Sequence, residues 1–186
     1  MKPHEAKALI DLLATDFPEI EAYLSFTAQD DSHISDGTPI EVVADLCEQS
    51  PQVLAFGINC SSPTVISGLL KRIRTVSQKT LVAYPNSGEV YDGSTQTWTS
   101  SPDEARTLLE NSKTWLTLGA QIIGGCCHTS PKDIVSLAQA FHKQKKPNSN
   151  ELGFLGAFSG KDYFSLITSS PSSISALRCF TSVWSR

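Results

Sequence analysis

The chain has 186 residues, of which 40% are hydrophobic and 18% charged, the balance of a globular protein long enough to bury one sizeable core. Its net charge of −4 and pI near 5.5 give no cationic field, so neither nucleic acid nor an anionic membrane is expected as a partner. No apolar run approaches the roughly 18 residues of a membrane span, the N-terminus lacks a secretory apolar core, and five cysteines are too sparse for a disulfide scaffold, so a reduced, cytoplasmic protein is expected.

Along the chain, residues 5–17 carry helical apolar spacing, with Ala8, Leu9, Leu12 and Leu13 on one face. Residues 22–27 read as a strand, followed by a polar loop over 29–37. Thr38-Pro39 then signals an N-cap with proline at the first helical position, and the helix should reach Gln49. Val53 to Ile58 is the second strand, and Ser62-Pro63 opens a helix expected to end near Val76. Thr80 to Tyr84 is the third strand, leading into the loop Pro85-Asn-Ser-Gly-Glu-Val-Tyr-Asp92. Ser101-Pro102 is read as the start of a helix reaching Leu118, with Gly119 closing it. Residues 121–125 form the fourth strand, and Ser130-Pro131 starts a last helix to about His142.

Short, nearly continuous apolar strands alternating with helices require a parallel sheet covered by helices. Four such units are half of an eight-stranded (β/α)8 barrel of the TIM type. A doubly wound open sheet fits the pattern equally, although the Gly-x-Gly-x-x-Gly signature of dinucleotide folds is absent. The chain is therefore read as α/β, with a partial barrel domain over 1–146 and an irregular, serine-rich tail of unassigned role over 147–186. The basic cluster Lys143-Gln-Lys-Lys146 reads as the solvated end of the last helix.

Three cysteines stand at chemically informative places. Cys60 closes the second strand, and the pair Cys126–Cys127 follows the fourth, after Gly124-Gly125. In a parallel sheet the carboxyl ends of strands gather catalytic groups, and three thiolates converging there would hold zinc with one coordination position open. Packing or redox use of the vicinal pair remains an alternative. Cys47 and Cys179 read as small core residues. Asn59 is either a ligand-orienting group or a turn former, and Tyr84, Asn86 and Glu89 fall on the loop of the same sheet edge, where Asp92 reads as structural. His4, His33 and His142 show no ligand spacing.

Gly124-Gly-Cys-Cys-His-Thr-Ser-Pro131, Gly57-Ile-Asn-Cys60, Tyr84-Pro-Asn-Ser-Gly-Glu89-Val-Tyr-Asp92 and Ser25-Phe-Thr27 together resemble the zinc-dependent homocysteine S-methyltransferase family, in that family's order. The resemblance covers residues 22–142 and is nearest to the branch using S-methylmethionine or S-adenosylmethionine. It implies a (β/α)8 barrel and zinc on Cys60, Cys126 and Cys127. Asn59, Tyr84, Asn86 and Glu89 are the expected contacts to homocysteine or the sulfonium donor. The substrate thiol, bound at the open position, would lose its proton and attack the donor methyl to give methionine. His128 stands where the family usually has arginine. The family also carries four earlier strands and acidic groups for the substrate amino group, and the Glu-Thr-x-Pro segment expected near Met1–Pro3 is not seen. Two further expectations follow: self-association that completes a barrel, or a truncated, non-catalytic remnant that binds zinc or homocysteine. A thiol redox module is the third.

Overall fold

The computed structural model describes residues 1–99 and 107–142. One compact unit spans Met1–Ala138 and a second Gln139–Arg186, of which residues 139–142 are described. The expected tail, the Lys143–Lys146 cluster, Cys179 and the Ser101-Pro102 helix start lie outside the described residues.

The helices α1 (Pro3–Asp16), α2 (Ile40–Gln49), α3 (Pro63–Ile73), α4 (Leu108–Thr117) and α5 (Pro131–His142) alternate with strands β1 (Ala22–Phe26), β2 (Val53–Asn59), β3 (Thr80–Tyr84) and β6 (Ala120–Ile123). All four strands are parallel, in the spatial order β1-β2-β3-β6. Each neighbour in space is thus the next strand of the α/β alternation. Helices α1, α2, α3 and α4 pack side by side in that same order. A doubly wound sheet reverses its strand order at a switch point. This one advances in a single direction with its helices in one row, which is the winding of a (β/α) barrel.

Local chemistry explains most boundaries. Ser62 caps α3 by accepting the Thr64 N–H at 3.3 Å, with Pro63 pre-set at the first helical position. Gly119, at φ +92°, follows the end of α4 as the sequence suggested. Two starts differ. The N-cap of α2 is Pro39 rather than Thr38, with no side-chain cap bond. Helix α4 begins at Leu108, where Thr107 and Glu110 form a reciprocal capping box, a stronger signal than a serine-proline pair.

The packed face of α1 also differs from the expectation. Ala6 is wholly buried and Ile10 packs on the core, whereas Leu9 and Leu12 are 41% and 42% exposed. Helix α1 ends the row and packs on α2, so only the side turned toward that neighbour is covered. Between β3 and α4 the chain adds an antiparallel hairpin, β4 (Val90–Asp92) with β5 (Thr97–Thr99), where the sequence reading expected loop. The core lies between sheet and helices and includes Phe26, Phe56, Ile58, Leu69, Leu81 and Trp115. Cys47 is wholly buried there, and burial pushes its thiol up to about 12, so it packs as an apolar residue. No helix among the described residues is long and apolar enough to cross a membrane.

Candidate metal centre

The site forms where β2, β3 and β6 end. Strand β2 delivers Asn59 beside Tyr84 in register, and Cys60 follows at once. Its N–H continues the ladder by donating to the Tyr84 carbonyl at 2.9 Å. Beyond β6, the Gly124 N–H donates to the Ala83 carbonyl at 3.0 Å and the Cys126 N–H to the Pro85 carbonyl at 2.7 Å. The polypeptide leaving β3 therefore runs between the two cysteine segments, bonded to both. It also takes the Asn86 N–H to the Ser61 carbonyl (3.1 Å) and the Ser87 N–H to the Cys127 carbonyl (3.0 Å).

This stitching brings the three sulfurs together. The Cys60 and Cys127 Sγ atoms are 3.3 Å apart, Cys126 and Cys127 3.9 Å, and all three sulfurs lie within 4.8 Å of one another. A tetrahedral ion with zinc–sulfur bonds of about 2.3 Å sets its sulfurs about 3.8 Å apart, inside that range. All three are free thiols, with Cys60 and Cys126 half-buried and Cys127 exposed. The donor set is soft, suited to zinc and poor for magnesium or calcium. Three cysteines thus form a cluster that can bind a metal ion.

Backbone geometry at the site is special. Cys60 has φ +44° and His128 φ +60°, left-handed conformations that cost a non-glycine residue about 1–2 kcal/mol and that surrounding structure must hold. The turn after the vicinal pair is closed by Thr129, whose N–H and hydroxyl both donate to the Cys126 carbonyl, at 3.1 and 2.6 Å. A Cβ on Gly125 would overlap the Thr129 side chain, so glycine is required for this close turn. A second close approach lies within the sheet, where a Cβ on Gly57 would overlap the Val82 backbone.

The electrostatics favour a cation. Desolvation first, then the hydrogen bond to Cys126, raises the Cys60 thiol above its ordinary range. The hydrogen bond with Cys60 is the leading cause that raises Cys127. Clustered thiols resist ionising together because each new negative charge meets its neighbours; a bound cation reverses that balance.

Tyr84, Asn86 and Glu89 lie on the strand end and loop of which Tyr84, Asn86 and Ser87 bond to the cysteine segments through the backbone. Tyr84 extends its hydroxyl to Ser25 Oγ on β1, 2.6 Å away. The Asn86 carboxamide oxygen accepts the Gly88 N–H at 2.9 Å. Glu89 is met by the Ser87 hydroxyl at 3.3 Å and by His128 Nδ1, which turns the imidazole to a carboxylate. Asp92 accepts from the Ser94 N–H and hydroxyl and shapes the hairpin turn. His33 is held by Asp30 in the loop after β1.

Ser61 went unread in the sequence. Buried, it donates to the Asn59 carbonyl and accepts the Ala28 N–H, both at 2.8 Å, locking the β1 loop to the Cys60 turn. Its adjacency to the obvious cap Ser62 was its only available signal.

A half-barrel sheet whose strand ends converge three thiols defines a class: a (β/α)-barrel-type protein with a cysteine cluster that could hold a metal ion. The homocysteine S-methyltransferase family profile matches residues 1–141, and the chain belongs to that family. It is 42% identical over 134 residues to homocysteine S-methyltransferase YbgG of Bacillus subtilis (72% of this chain, 42% of that protein). It is 41% identical over 133 residues to the homocysteine S-methyltransferase of Escherichia coli (72% and 43%). Among solved structures, the apo form of the homocysteine methyltransferase MmuM from Escherichia coli aligns with TM-score 0.61 at 36% identity, over 74% of this chain and 45% of that one. The metallated form of MmuM aligns with TM-score 0.58 at 35% identity, over 72% and 40%. The chain thus spans less than half the length of these relatives.

Proposed function

We propose that this chain carries the metal-binding part of a homocysteine S-methyltransferase, with zinc held by Cys60, Cys126 and Cys127. The observation that carries the reading is the convergence of three sulfurs from two distant segments within 4.8 Å. Homocysteine and a sulfonium donor, S-methylmethionine or S-adenosylmethionine, are the proposed substrates, and a reducing cytoplasm suits the free thiols. Bound here, zinc would act as a Lewis acid that keeps an incoming thiol deprotonated at neutral pH.

The chain's own groups do the rest. Cys60, Cys126 and Cys127 present a soft donor set on one side, and Asn59, Tyr84, Asn86 and Glu89 ring it with polar atoms that orient the amino-acid part of a substrate. The Tyr84–Ser25 contact fixes the phenol over the sheet edge. The overall exchange forms the sulfur–methyl bond of methionine and breaks one in the sulfonium donor, which departs as a neutral thioether. The thiol proton passes to solvent.

The test is methionine formation from homocysteine and S-methylmethionine by the purified chain. Turnover that stops on chelation and in Cys126→Ala supports the enzyme. One second reading is a chain that binds zinc or homocysteine without turnover, since three converging thiols suffice to hold a metal ion. One equivalent of zinc with no methionine would select it. Self-association that closes a ring of eight strands predicts a dimer by size exclusion, and a metal-free monomer contradicts it.

A further inference from the structure

We propose that Glu89 is a positioning residue for the cysteine site, acting through His128. The inference rests on reading the three sulfurs as one site and adds what holds them in place.

Two observations lead to it. First, His128 directly follows Cys127 and occupies the left-handed region at φ +60°, uncommon for non-glycine residues although histidine adopts it more readily than most. The backbone of this turn is held by Thr129 on the Cys126 carbonyl and by Ser87 on the Cys127 carbonyl, and a side-chain contact at His128 adds a third restraint on the position of Cys127. Second, the His128 imidazole bonds through Nδ1 to the Glu89 carboxylate, 39 residues away in sequence. Glu89 is the last residue of the segment leaving β3, the same segment whose backbone bonds to Ser61 and Cys127. The side-chain bond therefore closes a bracket that the backbone has begun. On one side the segment fixes the Cys60 turn through Tyr84 and Asn86, and on the other it fixes the Cys127 turn through Ser87 and Glu89.

One oxygen of the carboxylate is already occupied. Ser87 Oγ lies 3.3 Å from the same oxygen, Oε2, that meets the imidazole, so Glu89 is braced from its own loop and aimed at His128. Partners hydrogen-bonded to metal ligands are worth about 10–100-fold in affinity, and a bond one residue removed from the ligand should fall at the low end of that range. In this chain the bracing donor is an imidazole on the residue after the ligand, and the acceptor comes from the neighbouring strand's loop.

The experiment has two readouts on the full chain. In the metal-free Cys126→Ser protein, dibromobimane cross-links Cys60 to Cys127 at a rate set by their approach. Glu89→Ala should slow that reaction severalfold, and Glu89→Gln, which keeps an oxygen facing His128, should recover most of it. In a His128→Gly background, where glycine adopts the left-handed turn freely, Glu89→Ala should leave the rate unchanged. In the otherwise unaltered chain, cobalt(II) titration followed by sulfur-to-cobalt charge-transfer absorption should show affinity about tenfold weaker for Glu89→Ala. Equal slowing in both backgrounds would mean that Glu89 acts without His128 and overturns the inference. Cobalt binding in the parent chain that is unaffected by Glu89→Ala also overturns it while sparing the metal site. A Glu89-dependent cross-link in a chain that takes up no cobalt supports the positioning role and refutes the metal reading instead. Where Glu89→Ala fails to fold, Glu89→Leu, which keeps the bulk and removes both oxygens, takes its place with the same expected slowing.

Discussion

The two edges of the sheet are built on opposite rules. At the amino edge, long side chains serve backbone carbonyls of helix ends, loops and a strand start. Lys79 Nζ donates to the carbonyls of Cys47, Ser50 and Val53. Arg74 reaches those of Leu118, Ser77, Lys79 and Gly119. The Gln52 carboxamide nitrogen lies among the carbonyls of Leu13, Phe17, Pro18 and Ile20. At the carboxyl edge, two non-glycine residues take left-handed turns and three thiols crowd together. One edge discharges the backbone's hydrogen-bonding needs and so stabilises the fold. The other keeps strain and reactive groups in reserve for a ligand, the usual division between the faces of a barrel.

Substitutions should therefore separate stability from metal binding. Gly57→Ala is expected to be the most damaging, because a methyl group there overlaps the Val82 backbone inside the sheet and neither strand can yield. A loss above about 4 kcal/mol is expected, read as failure of the chain to give a cooperative thermal transition. A normal melting curve would break the account of how β2 and β3 pack.

Lys79→Met comes next. It keeps the apolar stem but removes the ammonium's bonds to three carbonyls, of which those of Cys47 and Ser50 keep a backbone N–H donor, so a loss of about 1–2 kcal/mol is expected. Chemical denaturation measures this, and metal affinity at the far edge should be unchanged. A change in affinity without a loss of stability would invert the comparison.

Cys126→Ala makes the reverse case. In the metal-free chain it should alter stability by less than about 1 kcal/mol, since Cys126 is only half-buried, while metal binding falls away. Equal loss of both would show that the thiols are core groups rather than a site.

The smallest effect is in acid. Hydrogen bonds from the Ser94 side chain and backbone hold the Asp92 carboxyl at about 2, below its unfolded value of about 3.9. The turn's contribution is thus fully present above the unfolded value and disappears as pH falls through the folded one. Titration of the Asp92 carboxyl followed by NMR should give a midpoint near 2, and a midpoint at the unfolded value would remove the Ser94 contacts from the account.

How much of this was legible in the sequence follows the range of the interactions. Strand β3 was bounded correctly and β2 to within a residue, because a continuous apolar run such as Val53-Leu-Ala-Phe has no helical reading of that length. The cysteines could be placed at strand ends for the same reason. The hairpin β4–β5 was missed since three-residue strands leave almost no alternation to detect. The exposed face of α1 was misjudged because periodicity shows which residues could be buried, while the neighbour decides which are. Least visible was the bracket around the site. Tyr84, Asn86 and Glu89 were chosen as substrate groups from their loop. That the same segment ties Cys60 to Cys127 depends on strand register and on a Glu89–His128 bond that no local pattern encodes.

Three sulfurs sharing one cation are the central feature proposed for this chain. X-ray absorption at the zinc edge, on the chain loaded with one equivalent, tests it most directly. The expected first shell contains three protein sulfurs at about 2.3 Å, falling to two in Cys60→Ser. A shell of nitrogen and oxygen, or a sulfur count that Cys60→Ser leaves unchanged, would contradict it.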